Sequence, residues 1–375
     1  MTKNNYNPNI AVYPGNTLKE LLESVGMTQT DLAERIGLTP KTINEIIQGK
    51  SSITPETAIK LSAVFGMSAT FWNNLERGYQ ETLARIERNK KLENEIPFLK
   101  RFECYKELAK LAYVPASKDL KEKVLNLLNF FGVSSLDFVP KTYQVAFRQS
   151  KQANLSHESL AAWLRCGEIE GNKIETKAFD REKLISSIEN LRTLTTKNTS
   201  EIEKSLKSLC AECGVAVAFV PYFSHTFVDG ATRWLSADKA LIQVSLRGAH
   251  IDRFWFTFFH EIGHLLKHGK KDQFIEFEKR NTGELEVKEK EADEYAGKTL
   301  IPDAVFNKFV ASGQAVTDGS ITRFAKEINI SPAIVAGRIA HELNQKGAKN
   351  TWKRFSHLRP RVKFVQPLSH SESSS

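Results

Sequence analysis

The sequence predicts a mainly α-helical protein with a small α+β domain in its C-terminal half. Helical periodicity with capping residues recurs over residues 13–192. A continuous apolar run at Gly214–Tyr222 is typical of a buried strand, and two shorter strand-like runs follow it before a helix rich in phenylalanine. The 375 residues, 41% of them hydrophobic and 26% charged, are enough for two or three globular domains.

The N-terminal helices have the order and polarity of a helix-turn-helix. Thr28 can cap one helix, which ends at Gly37, and Thr39 followed by Pro40 begins a second that runs to about Gln48. The second helix places isoleucines inward and polar side chains outward, as a helix that enters the DNA major groove requires. The candidate DNA-contacting residues are Gln29, Thr39, Lys41, Thr42, Asn44 and Lys50.

A helical bundle that uses this turn only for packing is the alternative, because residues 1–100 hold twelve basic and eleven acidic residues. A resemblance to a known family favours DNA binding. Residues 10–85 resemble HigA-type antitoxins with a Cro-type helix-turn-helix, through the runs Y-P-G-N-T-L-K-E-L-L, M-T-Q-T-D-L-A-E-R-I-G-L and T-I-N-E-I-I-Q-G-K-S-S-I-T-P-E-T-A. This resemblance implies binding to a double-stranded operator, usually by a homodimer.

Residues 86–192 are predicted to form a helical connector region without recognisable chemistry. It begins with a charged, solvent-exposed helix that Pro97 ends. The turn-like run Thr193–Ser200 then separates this region from the α+β domain, for which we predict a short β-meander with a turn at Asp229-Gly230. The edge of such a sheet could bind an extended peptide by strand addition.

The segment His260-Glu261-Ile262-Gly263-His264 fits the pattern H-E-x-x-H inside the phenylalanine-rich helix. Residues four apart lie about 40° apart around a helix, so the two imidazoles can converge on one metal ion. Zinc accepts such nitrogen ligands and keeps a position for water, and Glu261 can reach that water as a general base. The pattern predicts a zinc site with a catalytic Glu261.

A third ligand is expected from the acidic run E-K-E-A-D-E-Y-A that starts at Glu289. Glu289 and Asp293 share one helical face with two alanines, whereas Glu291 lies about 200° round from Glu289. We therefore predict Glu289 as the third ligand and Asp293 as the residue that orients a histidine ligand. A solvated, charged helix is the alternative interpretation of this run.

An all-histidine ligand set would need histidine at position 270, where the sequence has Lys270. His268 lies one turn beyond His264 and is expected to end the helix before Gly269. Arg253 and Tyr295 are the two candidates for stabilising a developing oxyanion. Arg253 could equally pair with an acidic residue.

Two runs, F-T-F-F-H-E-I-G-H-L-L-K-H and E-K-E-A-D-E-Y-A-G-K-T-L-I-P, resemble the ImmA/IrrE family of zinc metallopeptidases. The resemblance extends over residues 214–345 and implies a gluzincin-like fold, with His260, His264 and Glu289 as zinc ligands and Glu261 as general base. Several members of that family cleave DNA-bound repressors. Asp293 stands where members of the family often have asparagine.

Four cysteines are too few for a disulfide framework, so buried thiols are expected. The helix pair Ile321–Ala325 and Ser331–Ile339 is interpreted as a packing subdomain. Residues 346–375 carry seven basic residues and one acidic residue and are expected to form a disordered tail, with contact to phosphates as the alternative.

The predicted domains are residues 10–85, 86–192, 193–345 and 346–375. The predicted function is a DNA-binding transcriptional regulator with a zinc metallo-endopeptidase domain that acts on a repressor or other regulatory protein. The alternatives are an antitoxin or repressor whose zinc domain senses a signal or binds a toxin without proteolysis, and a zinc site that serves folding only. No apolar run approaches the ~20 residues that span a bilayer, and the first ten residues lack a signal-peptide core, which indicates a cytoplasmic protein.

Overall fold

A computed structural model describes residues 10–143, 154–245, 250–269, 274–277, 284–311 and 316–362. The chain divides into two compact units, the first ending at Ile96 and the second beginning at Pro97. Most described residues are helical and one small sheet is present, which confirms the predicted fold class. Among the described helices, none combines the length and the apolar character needed to cross a membrane.

The first unit is built from helices whose apolar faces surround the fully buried Trp72. Its helices are α1 (Pro14–Ser24), α2 (Gln29–Ile36), α3 (Pro40–Ile47), α4 (Pro55–Phe65) and α5 (Ala69–Glu95). Side chains that accept a hydrogen bond from the first turn cap four of these helices: Thr28, Thr39, Thr54 and Ser68. Gly37 ends α2 in the left-handed conformation, with φ of 65°.

The second unit places helices on both sides of a sheet. Before the sheet come α6 (Tyr105–Lys110), α7 (Leu120–Phe131), α8 (Val139–Thr142), α9 (His157–Lys173), α10 (Arg181–Thr193) and α11 (Thr199–Glu212). After the third strand of the sheet come α12 (Ile251–Lys267), α13 (Glu284–Leu300), α14 (Asp303–Ala311), α15 (Asp318–Glu327), α16 (Pro332–Gln345) and α17 (Thr351–Arg354). Short 3₁₀ helices lie at Ile96–Arg101, Leu136–Phe138, Leu194–Thr196 and Ser356–Leu358.

The sheet contains β1 (Val215–Val220), β2 (Val228–Ser236), β3 (Lys239–Ser245) and β4 (Phe274–Phe277) in the order β1-β3-β2-β4. The predicted meander is wrong in its strand order. The β2–β3 hairpin is antiparallel, but β1 joins the outer side of β3 as a parallel strand. The pair Asp229-Gly230 lies within β2 and is not a turn; the hairpin turns at residues 237–238. Gly230 instead lies against the side chain of Glu261 on α12.

The middle region packs directly on the sheet. Gln243 on β3 donates a 2.6 Å hydrogen bond from Nε2 to the carbonyl of Trp163, and Arg233 on β2 donates one of 2.6 Å to the carbonyl of Leu164. Both carbonyls belong to α9, while α12 packs on the opposite face of the sheet. Residues 97–192 therefore share one compact unit with the sheet and are not a separate connector, because α9 supplies one layer of its core.

The C-terminal segment is folded as far as residue 362, contrary to the predicted disorder from residue 346. Arg359 donates a 2.7 Å hydrogen bond to Asp252 in the first turn of α12, and both side chains are buried. The backbone N–H of Ile251 donates to the carbonyl of Pro360, and Phe355 lies in the core. These tertiary contacts hold the segment in place, although its basic composition predicts disorder. Residues 363–375 lie outside the described residues.

Two further expectations are met. All four cysteines are free and buried: Cys104, Cys166, Cys210 and Cys213. The pair α15 and α16 contributes its apolar side chains, including Ile321 and Val335, to the same core as α12. This pair is therefore a packing element of the second unit.

Candidate metal centre and DNA-binding helices

Helix α12 is buried along almost its whole length, and its approach to α13 defines the candidate metal centre. Its aromatic residues Trp255, Phe258 and Phe259 pack in the core. A Cβ atom at Gly263 would lie 3.1 Å from the Cα of Ala292 on α13, so the two helices meet at small residues. This close packing brings the acidic face of α13 to the histidines of α12.

The three side chains predicted as metal ligands lie together. One donor atom from each of His260, His264 and Glu289 can be chosen so that all lie within 4.8 Å of one another. The Nε2 atoms of His260 and His264 are 2.9 Å apart. One carboxylate oxygen of Glu289 lies 3.4 Å from Nε2 of His260, and the other lies 3.3 Å from Nε2 of His264. Ligand atoms around tetrahedral zinc, at about 2.0–2.1 Å from the metal, would be about 3.3 Å apart.

The protonation states at this cluster suit a divalent cation. Burial lowers the pKa of His264 to about 4, which leaves its imidazole neutral at pH 7. Burial alone would raise the pKa of Glu289, but its contacts with the imidazoles of His260 and His264 outweigh this effect and hold that pKa well below its usual range. A neutral imidazole and an ionised carboxylate are the forms that bind metal. The residues therefore fit the zinc ion that the sequence implies.

The outer nitrogens of both histidines have partners. Nδ1 of His260 lies 2.9 Å from the carboxylate of Asp293, as the sequence predicts. Nδ1 of His264 lies 3.0 Å from Nδ1 of His268, whose Nε2 lies 3.0 Å from the carboxylate of Glu291. His268 ends α12, as expected. The contribution of His268 and Glu291 to the site was not predicted, because the sequence does not show that α13 runs beside the last turn of α12.

Glu261 points toward β2. Its carboxylate accepts a 2.6 Å hydrogen bond from the hydroxyl of Thr232, and both residues are buried. A Cβ atom at Gly230 would overlap the other carboxylate oxygen, so this close approach requires glycine. An isolated glycine in a strand-like run is a sequence signal for such a close contact, and Gly230 makes this contact instead of the predicted turn.

The two candidate oxyanion groups have other contacts. The guanidinium of Arg253 lies 2.5 Å from the carboxylate of Asp229, so this residue pairs with an acid. The ring of Tyr295 lies beside Gly263, where a Cβ atom would be 3.2 Å from its Cδ1. Burial raises the pKa of Tyr295, so its hydroxyl keeps its proton at neutral pH.

The predicted helix-turn-helix corresponds to α2 and α3. Thr28 and Asp31 form a capping box at the start of α2, and α3 buries its isoleucines. The Thr42 hydroxyl is 2.9 Å from that of Thr39, and the Asn44 side chain accepts a hydrogen bond from Gln48. The six predicted DNA-contacting residues are all exposed or partly exposed: Gln29, Thr39, Lys41, Thr42, Asn44 and Lys50.

Comparison with known proteins matches one segment near the N-terminus and one in the C-terminal half of the chain. The family described as Helix-turn-helix matches residues 18–72, and the IrrE N-terminal-like domain of the peptidase M78 family matches residues 233–340. These matches confirm the two resemblances stated from the sequence.

Individual relatives match the N-terminal part. The uncharacterized HTH-type transcriptional regulator YddM of Escherichia coli is 35% identical over 75 residues, which are 20% of this chain and 78% of the relative. Antitoxin HigA-1 of Vibrio cholerae is 40% identical over 63 residues, 16% of this chain and 59% of the relative. The solved Pseudomonas aeruginosa antitoxin HigA with the higBA promoter is 30% identical, with a TM-score of 0.22, over 23% of this chain and 95% of that chain. The family match and the similarity to YddM show that the chain belongs to the helix-turn-helix DNA-binding regulators. It carries a peptidase M78-like domain in the same polypeptide.

Proposed function

We propose that this protein is a transcriptional regulator whose C-terminal domain is a zinc-dependent endopeptidase acting on a repressor or another regulatory protein. The observation that supports this most directly is the convergence of His260, His264 and Glu289 within 4.8 Å. Glu261 follows His260 directly in the chain and has a buried carboxylate. A site that served folding only would have no use for this carboxylate. The first unit would bind a double-stranded operator, as a homodimer, and the whole protein would act in the cytoplasm.

Each residue of the site has a definable task in peptide hydrolysis. Zinc, when bound, lowers the pKa of water to about 7 and polarises a carbonyl group. Asp293 accepts the Nδ1–H of His260, which leaves the Nε2 lone pair of that histidine directed into the centre. Glu261 accepts a proton from the attacking water and returns it to the departing amine, while Thr232 holds one of its oxygens in place.

The decisive experiment compares the wild-type protein with Glu261→Gln in the cell. New N-termini of cellular proteins are identified by terminal labelling after expression of each protein, and zinc content is measured on the purified proteins. We expect equal zinc in both and cleavage products only with the wild type. Glu294→Gln is the matched control, since Glu294 lies on the exposed side of α13 and pairs with Lys298. Equal zinc with no wild-type-specific cleavage would contradict the peptidase.

A second candidate function is a regulator that binds a signal or a toxin through the metal domain without cleavage. The burial of the site favours it, because His260 and Glu261 are 0% exposed and His264 is 1% exposed. A peptide reaches Glu261 only after local rearrangement. This function predicts that Glu261→Gln and the wild type repress the same promoter equally, without cleavage products in either case.

A further inference from the structure

His268 has a buried side chain that the reaction outlined above does not use. It ends α12 one turn after His264, and its side chain is only 4% exposed. One ring nitrogen faces His264 at 3.0 Å and the other faces Glu291 at 3.0 Å. Glu291 is half exposed, so the two contacts connect the interior of the site to the surface of α13.

The contacts fix the position of each proton when the rings are neutral. His264 directs Nε2 toward His260 and Glu289, so a metal bound there takes the lone pair of Nε2 and the ring proton lies on Nδ1. A hydrogen bond between two ring nitrogens needs one donor and one acceptor, so Nδ1 of His268 must accept. The proton of His268 then lies on Nε2, and the carboxylate of Glu291 accepts this hydrogen bond.

We propose that His268 and Glu291 are positioning residues that hold His264 in the tautomer and orientation required for metal binding. This inference rests on the metal site of the proposed function. The two ligand histidines then have different hydrogen-bonding partners at Nδ1. Asp293 contacts His260 directly, whereas Glu291 lies about 200° away from Asp293 on α13 and reaches His264 only through the ring of His268. Three acids at alternate positions, Glu289, Glu291 and Asp293, thereby serve one centre.

The test measures the zinc dissociation constant of the full-length protein by competition with a chromophoric chelator. His268→Phe keeps a ring and removes both nitrogens, and we expect it to weaken zinc binding about 10–100-fold. Glu291→Ala removes the outer acceptor and should weaken binding by a smaller factor. Glu291→Gln retains an oxygen acceptor and should bind like the wild type, as should the surface control Glu294→Ala.

A second measurement separates positioning from a loss of folding. Ring ¹⁵N shifts of the zinc-loaded wild type should show His264 protonated at Nδ1 and His268 protonated at Nε2. Glu291→Ala, a change at a half-exposed side chain, should perturb the His268 signals while the circular dichroism spectrum stays unchanged.

Three outcomes would overturn the inference. Unchanged zinc affinity in His268→Phe would remove the positioning role and leave the proposed metal site intact, and the reverse tautomer of His264 would do the same. A wild type that binds no zinc would remove both the inference and the proposed peptidase.

Discussion

The hydroxyl of Thr232 on β2 donates a hydrogen bond of 2.6 Å to the carboxylate of Glu261 on α12, and both residues are buried. Thr232→Val keeps the shape of the side chain but removes this donor from a buried carboxylate. We expect the free energy of unfolding of the metal-free protein to fall by about 1–3 kcal/mol. Urea unfolding of Thr232→Val, Glu261→Gln and the double variant measures the coupling between the two residues. Strictly additive effects would show that this hydrogen bond contributes nothing.

Gly230 provides the space that Glu261 occupies. A Cβ atom there would also lie 2.8 Å from Cγ2 of Thr257, so Gly230→Ala should destabilise the protein by about 1–3 kcal/mol through overpacking. Gly297→Ala on α13 is the matched control, because a Cβ atom at Gly297 has open space and alanine favours a helix. Thermal unfolding of the two variants should therefore move in opposite directions. A similar melting temperature for both would contradict the close contact at Gly230.

The site illustrates which features a single sequence can predict. His260 and His264 follow from helical spacing within one element, and Glu289 follows from the face it shares with Asp293 on a second element. The sequence predicts both histidines and the acid because each signal is local. Their convergence within 4.8 Å depends on small residues at the helix contact, such as Gly263.

Features that depend on tertiary placement were missed. Thr232 and Gly230 act on Glu261 across a gap of about thirty residues, and no periodicity in the sequence joins them. The parallel pairing of β1 with β3 was missed for the same reason, since a meander and a crossover have the same strand pattern along the chain. Composition was also misleading at Arg359, which is basic but buried against Asp252.

The pair Arg359–Asp252 predicts that the C-terminal segment stabilises α12. Arg359→Ala leaves a buried carboxylate without its cation, and breaking a buried pair costs about 3–5 kcal/mol. Lys353→Ala, on the exposed side of α17, should change the free energy of unfolding by less than about 0.5 kcal/mol. Chemical denaturation of both variants measures the difference. Equal stability of the two variants would show that the segment from residue 346 onward does not hold α12.

The cysteines should be inert in the folded protein. Burial raises the pKa of Cys104 to about 12, so almost no reactive thiolate forms at pH 8. The other three thiols are buried as well. A chromogenic disulfide reagent should therefore modify the native protein slowly and release about four equivalents only after unfolding in denaturant. Rapid reaction of one thiol in the native state would contradict this burial.

Substitutions in α3 and in the loop that follows it should affect DNA binding in two different ways. Asn44 presents an amide that can read a base edge, so Asn44→Ala should weaken specific binding by about 1–3 kcal/mol and relax the preference at one position. Lys50 follows α3 in an exposed loop and is suited to a phosphate contact, so Lys50→Ala should weaken binding to all sequences alike. For Lys50→Ala, the slope of log affinity against log salt concentration should fall in magnitude by about one.

Both variants are measured by fluorescence anisotropy on DNA selected from a random library by the wild-type protein. Lys91→Ala is the control, since Lys91 lies near the C-terminal end of α5 and forms an exposed pair with Glu87. The control removes one positive charge, as Lys50→Ala does, so equal salt slopes in the two variants would exclude a specific phosphate contact at Lys50. Unchanged base preference in Asn44→Ala would exclude Asn44 as a reading residue, because an amide that contacts a base edge cannot be removed without loss of discrimination.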